Sequence, residues 1–340
     1  MKYTLVIALS AFVIGCGPAQ NKKDKANGKS NVDYAETITV DELKSHLYKF
    51  ASDDMQGRMT GTEGQKKAAQ YLVDFYKSEG IGGPIASDDY YQPIPASYFK
   101  RARNPQDSEN VVAFIKGTEF PDEIIVLSAH YDHVGTDKEG NVYNGADDDG
   151  SGTVSMLEMA QAFQMAAKDG NGPKRSILFL HVTGEEIGLY GSRYYTDNPL
   201  FPLENTVCNL NTDMIGRIDP DKKDSPNYVY LIGSDKLSQE LHDVSEMVNS
   251  KYVNLELDYT YNDDNDPNRF YYRSDHYNFA KNNIPIIFYF NGTHEDYHQI
   301  TDTPDKIEYE LMTKRAKLIF LTAWEVANRD GRITADKLKE

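Results

Sequence analysis

The sequence predicts a single α/β domain of three layers, with a mixed, mostly parallel central sheet and helices on both faces. Predicted strands and helices alternate along residues 34–330, an order that is typical of sheets with many parallel strands. The strands are continuous apolar runs, which indicates that both faces of the sheet are buried. Several runs are followed directly by acidic residues or histidines. Because the carboxyl ends of parallel strands meet at one edge of a sheet, that edge is the predicted functional site.

The individual elements follow from the spacing of apolar residues. Helical spacing, which ends at a capping glycine in one case (Gly80), predicts helices at 40–51, 63–80, 153–168, 188–197, 236–250 and 311–329. Apolar or β-branched runs predict strands at 110–116, 123–128, 176–182, 207–212, 228–232 and 284–289. A glycine-rich loop is predicted between Gly57 and Thr62, and the segment 82–110 is predicted to be irregular.

The first residues have the pattern of an export signal. A positive start precedes an apolar segment too short to span a bilayer, so residues 1–15 are predicted to be a signal peptide. Val13-Ile14-Gly15-Cys16 resembles a bacterial lipobox, in which Cys16 becomes lipidated; the alternative is an ordinary signal peptide that contains a cysteine. The polar residues 16–33 are predicted to be a lipid-anchored flexible tether, and 331–340 a C-terminal tail. The expected location is the cell envelope, at the outer membrane or the periplasmic face.

The charge balance limits the partners. The chain has 53 acidic and 36 basic residues, for a formal net charge of −17. This excess argues against nucleic acid or anionic lipid as a partner, so the lipid anchor is the only expected membrane contact. If Cys16 carries lipid, Cys208 is the one cysteine left and no intrachain disulfide can form. The sequence does not indicate the oligomeric state.

The first candidate ligands lie in Ser-Ala-His-Tyr-Asp-His, at the end of the strand 123–128. His130 and Asp132 are two residues apart, so on an extended segment their side chains point the same way. Imidazole and carboxylate groups suit zinc. A metal-bound histidine usually donates its other ring N–H to a carboxylate, which fixes its tautomer. His130 is therefore predicted to bind zinc and Asp132 to orient it.

Three adjacent aspartates, Asp147, Asp148 and Asp149, precede the helix predicted at 153–168. Carboxylates are good caps at a helix N-terminus, but capping explains one of the three at most. Three neighbouring negative charges are costly unless a cation neutralises them. One of the three is therefore predicted to bridge two metal ions, and the spacing alone leaves open which one.

Glu185 and Glu186 follow the strand 176–182, and neighbouring side chains cannot both face one point. One is therefore predicted to bind metal and the other to hold the attacking water. Asp213 follows another strand, and Tyr297 and His298 add further candidate groups. Two metal ions about 3.5–4 Å apart stabilise both the attacking and the leaving oxygen of a hydrolysis. The chain is therefore predicted to be a hydrolase.

Together these motifs resemble those of the co-catalytic di-zinc aminopeptidase family. This family includes secreted bacterial leucine-type aminopeptidases and, more distantly, glutamate carboxypeptidase and glutaminyl cyclase. The resemblance extends from Gly57-Arg58 to Asp302-Thr303-Pro304-Asp305-Lys306-Ile307. It implies a domain of zinc-peptidase type with two zinc ions per chain.

The resemblance also implies a set of zinc ligands. One zinc ion is expected on His130 and Asp213, and the other on Glu186 and His298. Asp148 is expected to bridge them, because it opens the family pattern Asp-Asp-Gly-Ser-Gly. Many relatives have Asn where this chain has Asp147, which places an additional negative charge near the metals.

The catalytic roles are implied in the same way. Glu185 is expected to be the general base and Tyr297 the donor to the tetrahedral oxyanion, with Asp132 in support. A cis peptide bond is expected between Asp148 and Asp149.

A second polar cluster, Arg273-Ser274-Asp275-His276, matches a Ser-Asp-His segment that lines the site in the family. Arg273, Asp275 and His276 are therefore predicted to contact the substrate, although an exposed structural role is an alternative for Arg273. The other histidines have no partner pattern and are predicted to be structural or on the surface, two of them (His133 and His294) near the site without a role in it. They are His46, His133, His181, His242 and His294.

The predicted function is that of an exported, zinc-dependent metallo-exopeptidase. It is expected to hydrolyse the N-terminal bond of peptides with a free amino terminus. One alternative is a single-zinc acyltransferase like glutaminyl cyclase. The other is a catalytically inactive, peptide-binding lipoprotein.

Overall fold

The computed structural model describes residues 1, 28–100 and 105–338. The predicted signal peptide after Met1, the lipidation site Cys16 and most of the tether lie outside the described residues. The described end of the tether overlaps the first helix, α1 (Asn31–Ala35). Ser30 Oγ accepts the Asp33 N–H, and the Asp33 carboxylate accepts the Ser30 N–H, which is a capping box. The folded domain therefore begins inside the segment 16–33.

The strands in the described part of the chain form one mixed sheet of eight. They are β1 (Tyr91–Ile94), β2 (Ser108–Ile115), β3 (Phe120–His130), β4 (Arg175–Val182), β5 (Thr206–Thr212), β6 (Tyr228–Ile232), β7 (Glu256–Asp258) and β8 (Ile286–Phe290). Their order is β1-β2-β4-β3-β5-β8-β6-β7. The central strands β4, β3, β5 and β8 run parallel, whereas β2 and β6 join them antiparallel on either side. The parallel strands therefore present their carboxyl ends at one edge.

Helices cover both faces of this sheet. Besides α1 they are α2 (Val40–Phe50), α3 (Glu63–Glu79), α4 (Gly152–Lys168), α5 (Tyr190–Asp197), α6 (Gln239–Val248), α7 (His276–Ala280) and α8 (Tyr309–Asn328). On β3, Ile125 joins the buried cluster under α2, α3, α4 and α8, while Val126 joins a second cluster with Tyr195 of α5 and Phe279 of α7. Neighbouring residues of one strand are thus buried on opposite faces. The predicted three-layer α/β domain is confirmed.

No helix in the described ranges combines the length and the apolar content that a membrane-spanning helix needs. The predicted C-terminal tail packs on the domain. Ile333 is buried, and the Asp336 carboxylate accepts the N–H groups of Gln239 and Glu240 at the start of α6. Residues 331–338 therefore belong to the folded unit.

Four short elements are absent from the prediction. Strand β1 lies in the segment 82–110 that was expected to be irregular, and its Pro93 is suited to an edge strand. Strand β7 has three residues, and helices α1 and α7 have five each. Such lengths are too short for a periodic pattern to appear.

Candidate metal centre

The edge formed by the parallel strands brings the predicted ligands together. His130 is the last residue of β3, Asp213 directly follows β5, and Glu186 lies in the loop after β4. His298 lies in the loop after β8, and Asp148 in the irregular turn Ala146–Ser151 before α4. These five residues come from five separate segments.

His130, Asp148 and Asp213 form the first ligand group. The His130 Nε2 atom lies 3.2 Å from Asp148 Oδ1 and 3.6 Å from Asp213 Oδ1. Ligand atoms of a tetrahedral zinc ion with bonds of ~2.0–2.1 Å lie about 3.3–3.4 Å from one another. All three residues are buried. Their donor atoms therefore have the spacing that a zinc ion needs.

Asp148, Glu186 and His298 form a second group on the other side of Asp148. The His298 Nε2 atom lies 2.9 Å from Asp148 Oδ2 and 3.0 Å from Glu186 Oε2. The two carboxylate oxygens of Asp148 thus face different groups, Oδ1 the first and Oδ2 the second. A carboxylate in this position is suited to bridging two metal ions.

The electrostatics of the two groups favour bound cations. Asp148 Oδ2 is buried and has no hydrogen-bond partner among the described residues, although His298 Nε2 is 2.9 Å away. Burial lowers the pKa of His298, but Asp148 and Glu186 outweigh burial and raise it to about 10. The negative charge of these carboxylates therefore increases the proton affinity of His298. Nitrogen and carboxylate donors of this kind fit zinc.

The other two aspartates of the turn, Asp147 and Asp149, bind structural partners. Asp149 binds backbone groups. Its carboxylate accepts the N–H groups of His130 at 3.2 Å, Gly152 at 3.0 Å and Met214 at 3.0 Å. It thereby caps α4 and joins the ends of β3 and β5, while burial raises its pKa well above the usual range. The peptide bond between Asp148 and Asp149 is cis, as the resemblance implied.

Asp147 is held by a separate network. Its Oδ1 accepts the Gly216 N–H at 2.6 Å and the Ser151 hydroxyl at 2.9 Å, and its Oδ2 lies 3.1 Å from His294 Nε2. The Asp302 carboxylate accepts the Asp147 N–H. Burial lowers the pKa of His294, but Asp147 outweighs it and raises that pKa. The additional charge of Asp147 is therefore balanced by His294, which the sequence had given no role.

The predicted role of Asp132 requires a correction. His130 Nδ1 lies 3.1 Å from the main-chain carbonyl oxygen of Asp132, but 3.8 Å from its carboxylate, which is too far for a hydrogen bond. The carboxylate instead accepts the Thr60 hydroxyl at 2.8 Å and the Glu185 N–H at 3.2 Å. Asp132 thus orients His130 through its backbone and fixes Glu185 through its side chain.

Glu185 lies beside the first ligand group and lines the adjoining cavity. Burial raises its pKa well above the usual range, and Glu186 and Asp213 add to this increase. A carboxylate with a raised pKa is a stronger proton acceptor once it is ionised. Glu186 faces the second ligand group, so the two neighbouring glutamates point to different parts of the site.

Tyr297 lines the same cavity. Its ring stacks on that of His298, with the ring centroids 4.0 Å apart. Burial raises the pKa of Tyr297 above its usual value, and the charges of Asp148 and Glu186 raise it further. The phenol therefore stays protonated and can donate a hydrogen bond into the cavity.

A cavity lies beside the first ligand group. Four large apolar side chains form much of its wall: Met214, Phe270, Phe288 and Phe290. Arg273 also lines it, with its guanidinium 4.8 Å from the centroid of the Phe270 ring. Arg273 is exposed, and it forms no ion pair with a residue of the described ranges.

Asp275 and His276 lie behind this wall. Asp275 is fully buried and accepts the Ser192 hydroxyl at 2.5 Å, and burial raises its pKa to about 7. His276 is buried against Phe288, its Nε2–H donates to the Tyr271 carbonyl at 2.8 Å, and burial lowers its pKa to about 3. The prediction that Asp275 and His276 contact the substrate is therefore wrong. Both residues instead support the wall of the cavity from behind.

Two further residues of the site were missed in the sequence. His133 was predicted to be structural or exposed, yet it is buried and its Nδ1 lies 2.7 Å from Glu186 Oε1. His133 directly follows Asp132 in a segment that already contains two candidate ligands, and this position could have indicated a role in the site.

Arg58 is the second missed residue, and it has no exposed surface. Its guanidinium donates to the carbonyl oxygens of Phe50, Tyr131, Asn144 and Gly145, at distances from 2.6 to 3.3 Å. It therefore joins the end of α2, the segment after β3 and the turn that precedes Asp148. The resemblance at Gly57-Arg58 was the signal for it, but no property of the residue itself indicated burial.

Comparisons with known proteins give the family of this chain. The model of Peptidase family M28 matches residues 110–323. A probable zinc metalloprotease of Pyricularia oryzae is 28% identical over 268 residues, 67% of this chain. The chain spans about half of that relative's length (52%). A probable leucine aminopeptidase of Arthroderma benhamiae is 26% identical over 303 residues, which cover 86% of this chain and 74% of the relative.

Solved structures share the fold. The LapA aminopeptidase of Legionella pneumophila has a TM-score of 0.68 at 21% identity, over 95% of this chain and 81% of that one. The glutaminyl cyclase of Porphyromonas gingivalis has a TM-score of 0.64 at 17% identity, over 84% of this chain and 97% of that one. At these identities the likeness concerns the fold alone.

Proposed function

Because this chain belongs to peptidase family M28, a family of zinc metallopeptidases, we propose that it is a di-zinc aminopeptidase. It would hydrolyse the N-terminal bond of peptides that have a free amino terminus. The observation that carries the proposal is Asp148, whose two carboxylate oxygens face two separate groups of histidine and carboxylate donors. The relatives named as leucine aminopeptidases support the same activity.

We assign the metal ligands from the distances within each group. His130 and Asp213 would hold one zinc ion, Glu186 and His298 the other, and Asp148 both. When bound, zinc lowers the pKa of a water molecule and polarises the carbonyl group to be cleaved. Glu185, which faces the cavity, accepts the proton of the attacking water and passes it to the leaving amine.

The remaining groups of the cavity position the substrate. Tyr297 donates its phenol hydrogen to the oxyanion that develops on the substrate. The apolar wall accommodates an apolar side chain of the N-terminal residue, while the carboxylates of the site attract the N-terminal ammonium group. Export as a lipoprotein through Cys16 is part of the same proposal. It rests on the residues around Cys16 alone.

The activity can be tested together with the metal content. We expect two equivalents of zinc per chain, because donors for two sites are present, and we expect chelation to abolish activity reversibly. The protein should release the N-terminal residue of an unblocked peptide but not of its N-acetylated form. Zinc would be measured by elemental analysis and amine release by chromatography.

Two results would contradict this proposal. One equivalent of zinc in a fully loaded protein that cyclises N-terminal glutamine would identify a glutaminyl cyclase. Peptide binding without turnover in a zinc-loaded protein would identify an inactive binding protein.

Arg273 gives a second test, which concerns the substrate. Its guanidinium is the exposed cation in the wall of the acidic cavity, and hydrogen bonds to a charged partner contribute about 1.5–3 kcal/mol. We therefore expect Arg273→Ala to lower kcat/KM by about 10–100-fold for dipeptides with a free carboxylate. The same dipeptides as C-terminal amides should be nearly unaffected.

Arg269→Ala is the matched control. Like Arg273, Arg269 packs its guanidinium on an aromatic ring, 4.9 Å from the centroid of Tyr272. Arg269 lies in the same segment of the chain but lines a different cavity. Arg269→Ala should leave kcat/KM unchanged for both the dipeptides and their C-terminal amides. An equal loss for acids and amides in Arg273→Ala would show that Arg273 does not bind the carboxylate.

A further inference from the structure

The second ligand group has a partner in His133. Glu186 lies between two histidines: its Oε2 is 3.0 Å from His298 Nε2, and its Oε1 is 2.7 Å from His133 Nδ1. The His133 side chain is fully buried and that of Glu186 nearly so. The contact between them is therefore shielded from water, where a charge-assisted hydrogen bond is strongest.

The ring of His133 is fixed from several sides. Gly145, which has a positive φ of 56°, lies so close that a Cβ atom there would come within 2.6 Å of the ring. The main-chain N–H of His133 donates to the Arg58 carbonyl at 3.2 Å. The ring also meets that of His298 edge-on, with the centroids 5.7 Å apart. His133 therefore cannot turn away from Glu186 without displacing its neighbours.

Two roles are compatible with this position, and the geometry favours one of them. As a direct ligand, His133 would give the second zinc ion four protein ligands, together with Asp148, Glu186 and His298. Structural zinc sites are closed in this way, whereas catalytic sites keep a position open. The His133 Nδ1 atom is also 3.9 Å from Asp148 Oδ2, which His298 Nε2 approaches to 2.9 Å. The donor atoms of His133, Asp148 and Glu186 do lie within 4.8 Å of one another. However, His133 Nδ1 is 2.7 Å from Glu186 Oε1 and farther from Asp148 than His298 is, so its main contact with the group is through Glu186.

We propose that His133 is a positioning residue for the second zinc ion. Its Nδ1–H holds Glu186 Oε1, so that Oε2 stays directed at the metal. This inference rests on the proposed di-zinc function. Partners of this kind typically contribute 10–100-fold in metal affinity or activity.

The test compares zinc affinities in the whole protein. Wild type, His133→Ala and His133→Gln would be titrated with zinc against a competing chelator, with both binding steps resolved. In His133→Ala the step assigned to Glu186 and His298 should lose roughly 10–100-fold in affinity, while the step assigned to His130 and Asp213 changes little. In His133→Gln, an amide N–H can still donate to Glu186, so we expect much of the affinity to be recovered.

His181→Gln is the matched control, because His181 is also buried and has a single side-chain partner, the Tyr76 hydroxyl at 2.7 Å. It should leave both steps unchanged, and circular dichroism would confirm that each variant is folded. Unchanged affinity in His133→Ala would overturn the inference. Equal losses in the alanine and glutamine variants would overturn it too, since they would identify a direct ligand. Failure of the di-zinc proposal would appear separately, as a wild type that binds one zinc ion.

Discussion

Replacement of Glu185 by glutamine is expected to lower turnover by about 10²–10⁴-fold, the loss that is typical when a general base is removed. Glutamine has nearly the same shape but cannot accept the proton of the attacking water. Because Glu185 lies outside the two groups of donor atoms, zinc content should stay at the wild-type level. Single-turnover kinetics and elemental analysis on the same preparation would measure both quantities.

Glu186→Gln is the natural comparison, because it changes the neighbouring residue in the same way. Glu186 Oε2 is 3.0 Å from His298 Nε2 in the second ligand group. This variant should therefore lose zinc affinity, and adding zinc should restore part of its activity. If Glu185→Gln lost zinc while Glu186→Gln kept it, the roles given to the two glutamates would have to be exchanged.

Replacement of Arg58 by methionine is expected to lower the free energy of unfolding by about 3–5 kcal/mol, because each buried acceptor that loses its donor costs about 1–3 kcal/mol. The Gly145 carbonyl oxygen would keep the Gly150 N–H as a donor, but the carbonyl groups of Phe50, Tyr131 and Asn144 would lose the donor that Arg58 supplies. Burial lowers the pKa of Arg58 to about 10, so the guanidinium is charged at neutral pH. Its loss would also remove a positive charge close to Asp148 and Asp132.

Urea denaturation in the presence of a chelator would measure this effect without the contribution of bound zinc. Arg269→Met is a suitable control, because Arg269 is exposed, and it should change stability by no more than about 0.5 kcal/mol. A loss of less than about 1 kcal/mol in Arg58→Met would show that other donors or water satisfy the carbonyl groups of Phe50, Tyr131 and Asn144.

The class of the domain and the types of residue in its site could be predicted from the sequence. Long apolar runs and helical spacing predicted the long strands and helices, such as β6 at Tyr228–Ile232, whose bounds match. His130, Glu186 and Asp213 follow strands whose carboxyl ends meet at one edge, so their assembly followed from the fold class. These predictions were possible because side-chain type and position along a strand are local properties, which can be read from the sequence.

Which atom of each residue faces which partner depends on contacts between distant segments of the folded chain. The three adjacent aspartates are chemically identical, and only contacts with distant segments distinguish them: Asp147 meets His294, whereas Asp149 meets the backbone of Met214. Asp132 orients His130 through its carbonyl group rather than its carboxylate. These assignments depend on the direction of the backbone in turns, as at His298, whose φ is 55°.

The burial of polar residues also depends on contacts between distant segments. Neither Arg58 nor His133 belongs to an apolar run, and both residue types are often exposed. They are buried here because carbonyl groups and a carboxylate from other segments surround them. A polar side chain can be buried only where the folded chain supplies its partners, and those partners are far away in the sequence.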